Sequence, residues 1–83
     1  MNVRILYFAS LREALRCESE QLTLPAGVTS IAQLRTELGA RGGEWIRLVS
    51  PRIRAARNQD LASETQAISE GDEIAFFPPV TGG

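Results

Sequence analysis

The sequence predicts an α+β fold in which one main helix packs across one face of a mixed sheet of four to five strands. Three observations predict it: an alternating apolar segment near each end of the chain, and one segment between them with helical apolar spacing. The 83 residues are enough for one domain only. One sheet and one helix in two layers are the economical way to bury these apolar faces.

The first half of the chain is expected to form a strand, a short helix and a second strand. Residues 2–9 alternate as a strand does when one face meets a core. Ser10 precedes Glu13 by three residues, the spacing of a capping box, which predicts a helix over residues 10–16. Residues 21–24 alternate again and stop at a Pro-Ala-Gly turn, so we expect them to pair with the first strand as a hairpin.

The main helix is expected over residues 30–41. Ser30 and Gln33 repeat the capping-box spacing, and the apolar residues that follow are three and four positions apart, which places them on one stripe. The Gly-Gly pair after the helix permits the positive φ that commonly ends helices. An apolar cluster within residues 42–50 is expected to cover one end of the core, and no function is assigned to it.

The second half is expected to return to the sheet. Residues 53–57 predict a third strand and residues 58–60, Asn-Gln-Asp, a turn; the last strand is expected over residues 73–77. The first and last strands contain the strongest β-formers, so we expect them to be parallel neighbours at the centre of the sheet. The small fold with this order is the β-grasp, here as a domain over 1–77 followed by an extended tail over 78–83.

Composition excludes several classes of function. The chain has no histidine and one cysteine, and all nine basic residues are arginine. These counts remove the commonest general base, any internal disulfide and any Cys-Cys metal motif. The net charge of −1 and the short apolar runs argue against nucleic-acid and membrane binding. We therefore expect a soluble cytoplasmic protein that is not an enzyme by itself and that carries no metal or cofactor.

An apolar patch is expected on the face of the sheet turned away from the main helix. Strand alternation directs Phe8 and Phe77 to that face, and Leu61 is expected beside them, near the point where the tail leaves. An exposed apolar patch of this kind marks a partner site. The alternative is that the region around Trp45 folds over this face and buries it.

The tail itself has the properties of a reactive arm. Pro78 and Pro79 fix φ and favour extended chain, so residues 78–83 are expected to project, with a reach of about 20 Å. Gly82 and Gly83 lack a Cβ, which lets the chain pass a narrow channel and leaves the terminal carboxylate open to attack. Because a carboxylate is a poor acyl donor, another enzyme must activate it; adenylation followed by sulfide transfer would leave a thiocarboxylate.

Residues 70–83 resemble the C-terminal signature of the small, sulfur-carrier subunit of molybdopterin synthase, a ubiquitin-like sulfur carrier family. Residues 5–9 and 12–13 resemble the N-terminal strand and first helical turn of that family, and residues 58–59 its third-strand turn. The resemblance thus extends over the whole chain and implies a ubiquitin-like β-grasp fold.

The resemblance also implies a chemistry and a set of partners. An E1-like enzyme, which binds the nucleotide, adenylates Gly83, and a sulfur donor system converts it to a thiocarboxylate. The tail then enters the large synthase subunit and donates sulfur to cyclic pyranopterin monophosphate, forming molybdopterin. The implied complex is a heterotetramer of two small and two large subunits. Besides Gly82 and Gly83, the implied contact residues are those of the apolar surface and the tail: Phe8, Leu61, Phe77, Pro78, Pro79, Val80 and Thr81.

Three alternatives to this function stay open. A sulfur carrier of the thiamine pathway shares the fold and the diglycine. A ubiquitin-like protein modifier would use the same activated terminus to acylate lysines of other proteins. A plain interaction domain would carry the diglycine incidentally.

Overall fold

A five-stranded mixed sheet with two α-helices and one 3₁₀ helix makes up residues 1–79, the part of the chain that the computed structural model describes. The elements in chain order are β1 (Asn2–Tyr7), α1 (Ala9–Leu15), β2 (Ser19–Thr23), α2 (Ile31–Gly39), the 3₁₀ helix (Gly43–Val49), β3 (Arg54–Arg57), β4 (Asp60–Ala62) and β5 (Glu73–Phe77). The strand order across the sheet is β2-β1-β5-β3-β4. In residues 1–79, no helix is long and apolar enough to cross a bilayer.

The two strands from the ends of the chain, β1 and β5, lie side by side and parallel, which confirms the prediction. β2 pairs antiparallel with β1, and β3 antiparallel with β5, so β5 occupies the centre of the sheet. One face of these strands packs against α2 and is buried, through Val3, Ile5, Tyr7, Ile74 and Phe76. The stripe of α2 that meets it is equally buried, through Ile31, Leu34 and Leu38.

Half of the capping box predicted for α2 is present. Ser30 Oγ accepts a hydrogen bond from the Gln33 amide at 3.3 Å, which satisfies an amide that the helix start would otherwise leave unpaired. Gln33 Oε1 accepts from the Thr29 amide at 2.8 Å, one residue before the cap residue whose amide a capping box would use. The helix ends at Gly39, two residues earlier than predicted, and the positive φ of 79° at Gly42 follows the helix end instead of closing it.

The capping box predicted for α1 is wrong. The helix begins at Ala9 after Phe8, which makes no side-chain capping bond, and Ser10 lies inside the first turn. The cause is a tertiary contact. The Phe8 amide donates a hydrogen bond to the Phe76 carbonyl at 3.1 Å, and this bond keeps Phe8 on the sheet. The chain then reverses at Ala9, whose φ is 54°, so β1 ends at Tyr7 and not at residue 9.

The turn predicted over residues 58–60 is one residue shorter. Asn58 and Gln59 both have positive φ, 49° and 76°, the conformation of a two-residue hairpin loop whose twist matches its strands. Asp60 therefore belongs to β4, a three-residue edge strand that the sequence pattern does not predict. The hairpin fixes Leu61 opposite Ala56 on β3.

Asp72 anchors the entry to β5 through a buried hydrogen-bond network. Its carboxylate accepts from Arg57 Nε at 2.6 Å, the Ser69 amide at 2.8 Å and Asn58 Nδ2 at 3.0 Å. Burial by itself raises the pKa of Asp72, but these hydrogen bonds outweigh it and hold the pKa below its ordinary value. The ionised form is thus the one that the fold stabilises.

Replacing this carboxylate, Asp72→Asn, is expected to lower the free energy of unfolding at neutral pH by about 2 to 4 kcal/mol, because the amide cannot accept from all the donors that converge on it. Since the folded pKa is depressed, the contribution of Asp72 is complete above its unfolded pKa of about 3.9 and is lost as pH falls through the lower folded pKa. Urea unfolding of wild type and Asp72→Asn, at a series of pH values from neutral to strongly acidic, measures these changes in the free energy of unfolding.

The control is Asp60→Asn, on the exposed edge strand β4. We expect it to change stability by less than about 0.5 kcal/mol. The difference between wild type and Asp72→Asn should narrow at acidic pH, and a difference that stays constant to the lowest pH would contradict the depressed pKa.

Candidate functional site

The face of the sheet opposite α2 carries an exposed apolar patch. It is formed by Leu6, Phe8, Ala56, Leu61, Ala75 and Phe77, which line a shallow depression of about 460 Å³ together with Gln59 and Glu73. Phe8 is 45% exposed and Leu61 70% exposed, unusually high for large apolar side chains. The sequence expectation that Phe8, Leu61 and Phe77 share one face is therefore confirmed, whereas their role in partner binding stays a prediction.

The strand register explains why the patch is continuous. Ala75 of β5 is the cross-strand partner of Leu6 on one side and of Ala56 on the other, and Ala56 is in turn the partner of Leu61. Cross-strand partners project to the same face of a sheet. The two alanines form the floor of the depression, and the larger side chains stand around it.

The patch occupies only one half of this face. Towards the start of β1, Arg4 lies beside Glu73 of β5 and Gln21 of β2, all of them polar. The apolar half is the one that borders the end of β5, where the tail begins. The exposed apolar area is therefore confined to the half of this face next to the tail, and the other half is polar.

The alternative that Trp45 covers the patch is wrong. The Trp45 ring packs edge-on against Tyr7, with centroids 5.4 Å apart, and Tyr7 is on the buried helix side of β1. The Arg41 guanidinium also lies over the Trp45 ring, 4.3 Å from the ring centroid. The 3₁₀ helix therefore closes one end of the core, as expected, and leaves the opposite face of the sheet open.

A charged cluster next to Trp45 has a structural role. Glu20 accepts hydrogen bonds from the Tyr7 hydroxyl at 2.8 Å and from both terminal nitrogens of Arg41, at 2.9 and 3.0 Å. Burial, and then the nearby Glu20, raise the pKa of both the Tyr7 hydroxyl and the Cys17 thiol. The raised pKa keeps both groups protonated at neutral pH, and the hydrogen bonds of Glu20 tie β2 to the chain just after α2.

The root of the tail lies at the edge of the patch. β5 ends at Phe77, Pro78 is half-buried and Pro79 is exposed. The remaining predicted site residues, Val80, Thr81, Gly82 and Gly83, lie outside the described residues. Their projection and the chemistry of the terminal carboxylate stay predictions.

A groove of about 740 Å³ also borders the two prolines, and sequence reasoning missed it. Its other lining residues are Ala9, Ser10, Arg47, Ser50, Arg52 and Ile53. No periodicity could have indicated it, because it joins the start of α1, the 3₁₀ helix and the loop before β3. Packing between segments distant in sequence creates the groove.

A mixed five-stranded sheet of this order, with α2 across one face and a carboxyl-terminal tail leaving its central strand, defines a ubiquitin-like β-grasp domain. The fold matches the crystal structure of SAMP1 from Haloferax volcanii with a TM-score of 0.81, at 24% identity and with 100% of each chain covered. It also matches a chain of the protein–protein complex of subunits 1 and 2 of the molybdopterin-converting factor from Helicobacter pylori, with a TM-score of 0.69, at 24% identity and with 100% of each chain covered. At these identities the likeness establishes the fold.

Sequence comparison identifies the family. The model of the ThiS family matches residues 5–83, and the chain belongs to this family. The molybdopterin synthase sulfur carrier subunit of Escherichia coli is 35% identical over 82 residues, which cover 98% of this chain and 99% of that protein. The family resemblance drawn from the C-terminal signature, that of the sulfur-carrier subunits of molybdopterin synthase, is therefore confirmed.

Proposed function

We propose that this chain is the sulfur carrier subunit of a molybdopterin synthase, with the carboxylate of Gly83 as the group that carries sulfur. The observation that carries the proposal is the position of the apolar patch: it borders Pro78, the first residue after the central strand. A partner that covers the patch is thereby in reach of the tail. The family and the name of the E. coli relative support the same function.

The chemistry needs three steps at one carbon. The Gly83 carboxylate attacks the α-phosphate of ATP, giving an acyl adenylate and releasing pyrophosphate. A sulfide equivalent then displaces AMP and forms the thiocarboxylate. In the large subunit the sulfur then forms a bond to cyclic pyranopterin monophosphate in place of an oxygen substituent, and water attacks the Gly83 carbonyl carbon, breaks its bond to the sulfur and restores the carboxylate. The β-grasp domain contributes binding and positioning in this scheme, so it is a non-catalytic subunit of a heteromeric enzyme.

The partner proposed for the patch is the large synthase subunit, in a heterotetramer of two small and two large subunits. The H. pylori complex of subunits 1 and 2 supports a large-subunit partner. Full burial of a Phe or Leu side chain contributes about 1.5 to 3 kcal/mol, and the exposed parts of Phe8 and Leu61 offer a fraction of that each. An E1-like enzyme is proposed to use the same face in its turn, because it too must reach Gly83.

Intact-mass spectrometry of the protein from sulfur-replete cells tests the carrier chemistry. We expect a population heavier than the carboxylate form by the difference between one sulfur and one oxygen, and its loss when the gene of the activating enzyme is deleted. A strictly unmodified carboxylate in wild-type cells would refute the carrier proposal and would favour a plain interaction domain.

The pathway is tested by deleting the gene for this chain. We expect molybdoenzyme activity to be lost while growth without thiamine is retained. A thiamine requirement with intact molybdoenzymes would assign the chain to the thiamine pathway instead, and isopeptide-linked conjugates of the chain in cell extracts would add a modifier role.

A further inference from the structure

Three exposed arginines surround the root of the tail. Arg47 and Arg52 line the groove beside Pro78 and Pro79. Arg54 is the cross-strand partner of Phe77, so it projects to the open face at the end of the apolar patch. We call Arg47, Arg52 and Arg54 the arginine collar.

The backbone that carries the collar is held firmly. The buried guanidinium of Arg35 donates through Nη1 to the carbonyls of Leu48 and Ser50, at 2.9 and 3.4 Å. Its Nε lies 2.7 Å from the Glu64 carboxylate but out of line for a hydrogen bond, so this contact is an ion pair. The Arg52 amide donates to Ser50 Oγ at 3.2 Å. The backbone of the collar is therefore fixed, and only the arginine side chains are free to change conformation.

The collar has more positive charge than its neighbours neutralise. Arg47 pairs with Glu44, both of them exposed, whereas Arg52 and Arg54 form no ion pair within residues 1–79. Yet the whole chain has a net charge of −1. Four of the ten acids lie at the far end of the sheet, on β4 and at the entry to β5: Asp60, Glu70, Asp72 and Glu73. Arginines accompany them there, since Arg57 pairs with Asp72 and Arg4 is the cross-strand partner of Glu73. Positive charge without an acidic partner in residues 1–79 is thus found at the end from which the tail leaves.

We propose that the arginine collar docks against carboxylates at the mouth of the partner pocket that receives the tail. This inference rests on the proposed function, and it adds the chemistry of a second contact surface beside the apolar patch. Four residues beyond Pro79 span at most about 14 Å. A pocket that admits Gly83 must therefore bring its mouth close to the root of the tail, where the collar lies.

The physical argument is one of desolvation. A guanidinium taken out of water against a neutral or basic surface costs several kcal/mol, so a tight complex requires acidic partners for the collar. A nucleotide phosphate is the other anion in the reaction, but it bonds to Gly83 at the far end of the tail and not at its root. Protein carboxylates are accordingly the occupants that fit the position of the collar.

The test is the association rate with the large synthase subunit of the same organism, measured by stopped-flow fluorescence at low and high salt. The variant Arg47→Glu/Arg52→Glu is expected to associate about tenfold or more slowly at low salt, with the difference shrinking as salt screens the charges. The control is Arg4→Glu, which makes a charge reversal on the polar half of the open face and should stay within about twofold of wild type. Urea unfolding verifies that the variants are folded.

The outcomes separate the two proposals. If wild type does not bind the large subunit at all, the proposed function fails, and the collar with it. If wild type binds and the double variant associates at the wild-type rate, or Arg4→Glu is slowed equally, only the collar proposal is overturned. If the double variant associates at the wild-type rate but is no longer adenylated, the collar binds the nucleotide phosphate and not partner carboxylates, and the collar proposal is again overturned. Recovery of the rate when an acidic residue at the pocket mouth is changed to arginine would establish the pairing.

Discussion

Adding one alanine after Gly83 is expected to abolish sulfur transfer and to leave the free energy of unfolding unchanged. The added residue converts the Gly83 carboxylate into an amide, which cannot be adenylated, and it places a Cβ at the new terminus, where the channel is expected to admit glycine only. Residues 1–79, which contain the buried core, are untouched. The assay is formation of molybdopterin by the reconstituted synthase, with urea unfolding alongside.

The matched control for this variant adds the same alanine before Met1. It changes the length and mass equally, but leaves the terminal carboxylate in place, so sulfur transfer should stay within about twofold of wild type. Activity in the C-terminally extended protein would refute the terminal-carboxylate mechanism. Equal loss in both extended proteins would point to a general effect of lengthening the chain.

The second large effect is expected from two adjacent phenylalanines on opposite faces of β5. Phe76 is completely buried, stacks on Tyr7 with ring centroids 6.4 Å apart and lies under the Arg35 guanidinium. Phe76→Ala is expected to cost about 3 to 5 kcal/mol, a large part of the 5 to 15 kcal/mol that stabilises a typical domain. Phe77 is only half-buried, on the open face, and Phe77→Ala should cost far less stability.

For partner binding the order of the two substitutions should be reversed, with the larger loss of affinity in Phe77→Ala. Phe77→Ala is expected to weaken binding to the large subunit about tenfold or more, because aromatic anchors at the centre of an interface dominate its energy. Urea unfolding and titration of the large subunit measure the two quantities independently. Equal destabilisation by both substitutions, or wild-type affinity in Phe77→Ala, would contradict the assignment of the open face as the partner surface.

Local patterns predicted the elements that depend on local physics. The alternation in β1 and β5 indicated both their existence and their buried faces, since successive strand residues always point to opposite sides. The helix α2 was predicted because Ser30 caps it through a contact only three residues away. The open face followed from the same alternation, so the sequence alone placed Phe8 and Phe77 on the correct face.

Elements held by distant contacts were predicted poorly. α1 starts at Ala9 because Phe8 is bonded to Phe76 across the sheet, and this contact overrides the capping signal of Ser10. β4 is a strand only because β3 pairs with it, as three residues have too little pattern of their own. In both cases the deciding hydrogen bond joins the segment to another strand, which local sequence preferences do not report.

For the function, the sequence by itself predicted the chemistry: a Pro-Pro-Val-Thr-Gly-Gly segment in a chain without histidine or lysine predicts an arm activated by other proteins, and the chemistry of Gly83 stays a prediction. These features belong to the covalent structure of the tail and to the composition of the chain. Only the tertiary structure decided what surrounds Pro78 and Pro79, where the arm begins. Arg47, Arg52 and Arg54 come to its root through the strand register and the buried Arg35 anchor. Periodicity reports which face a side chain takes, but packing decides which distant segments meet there.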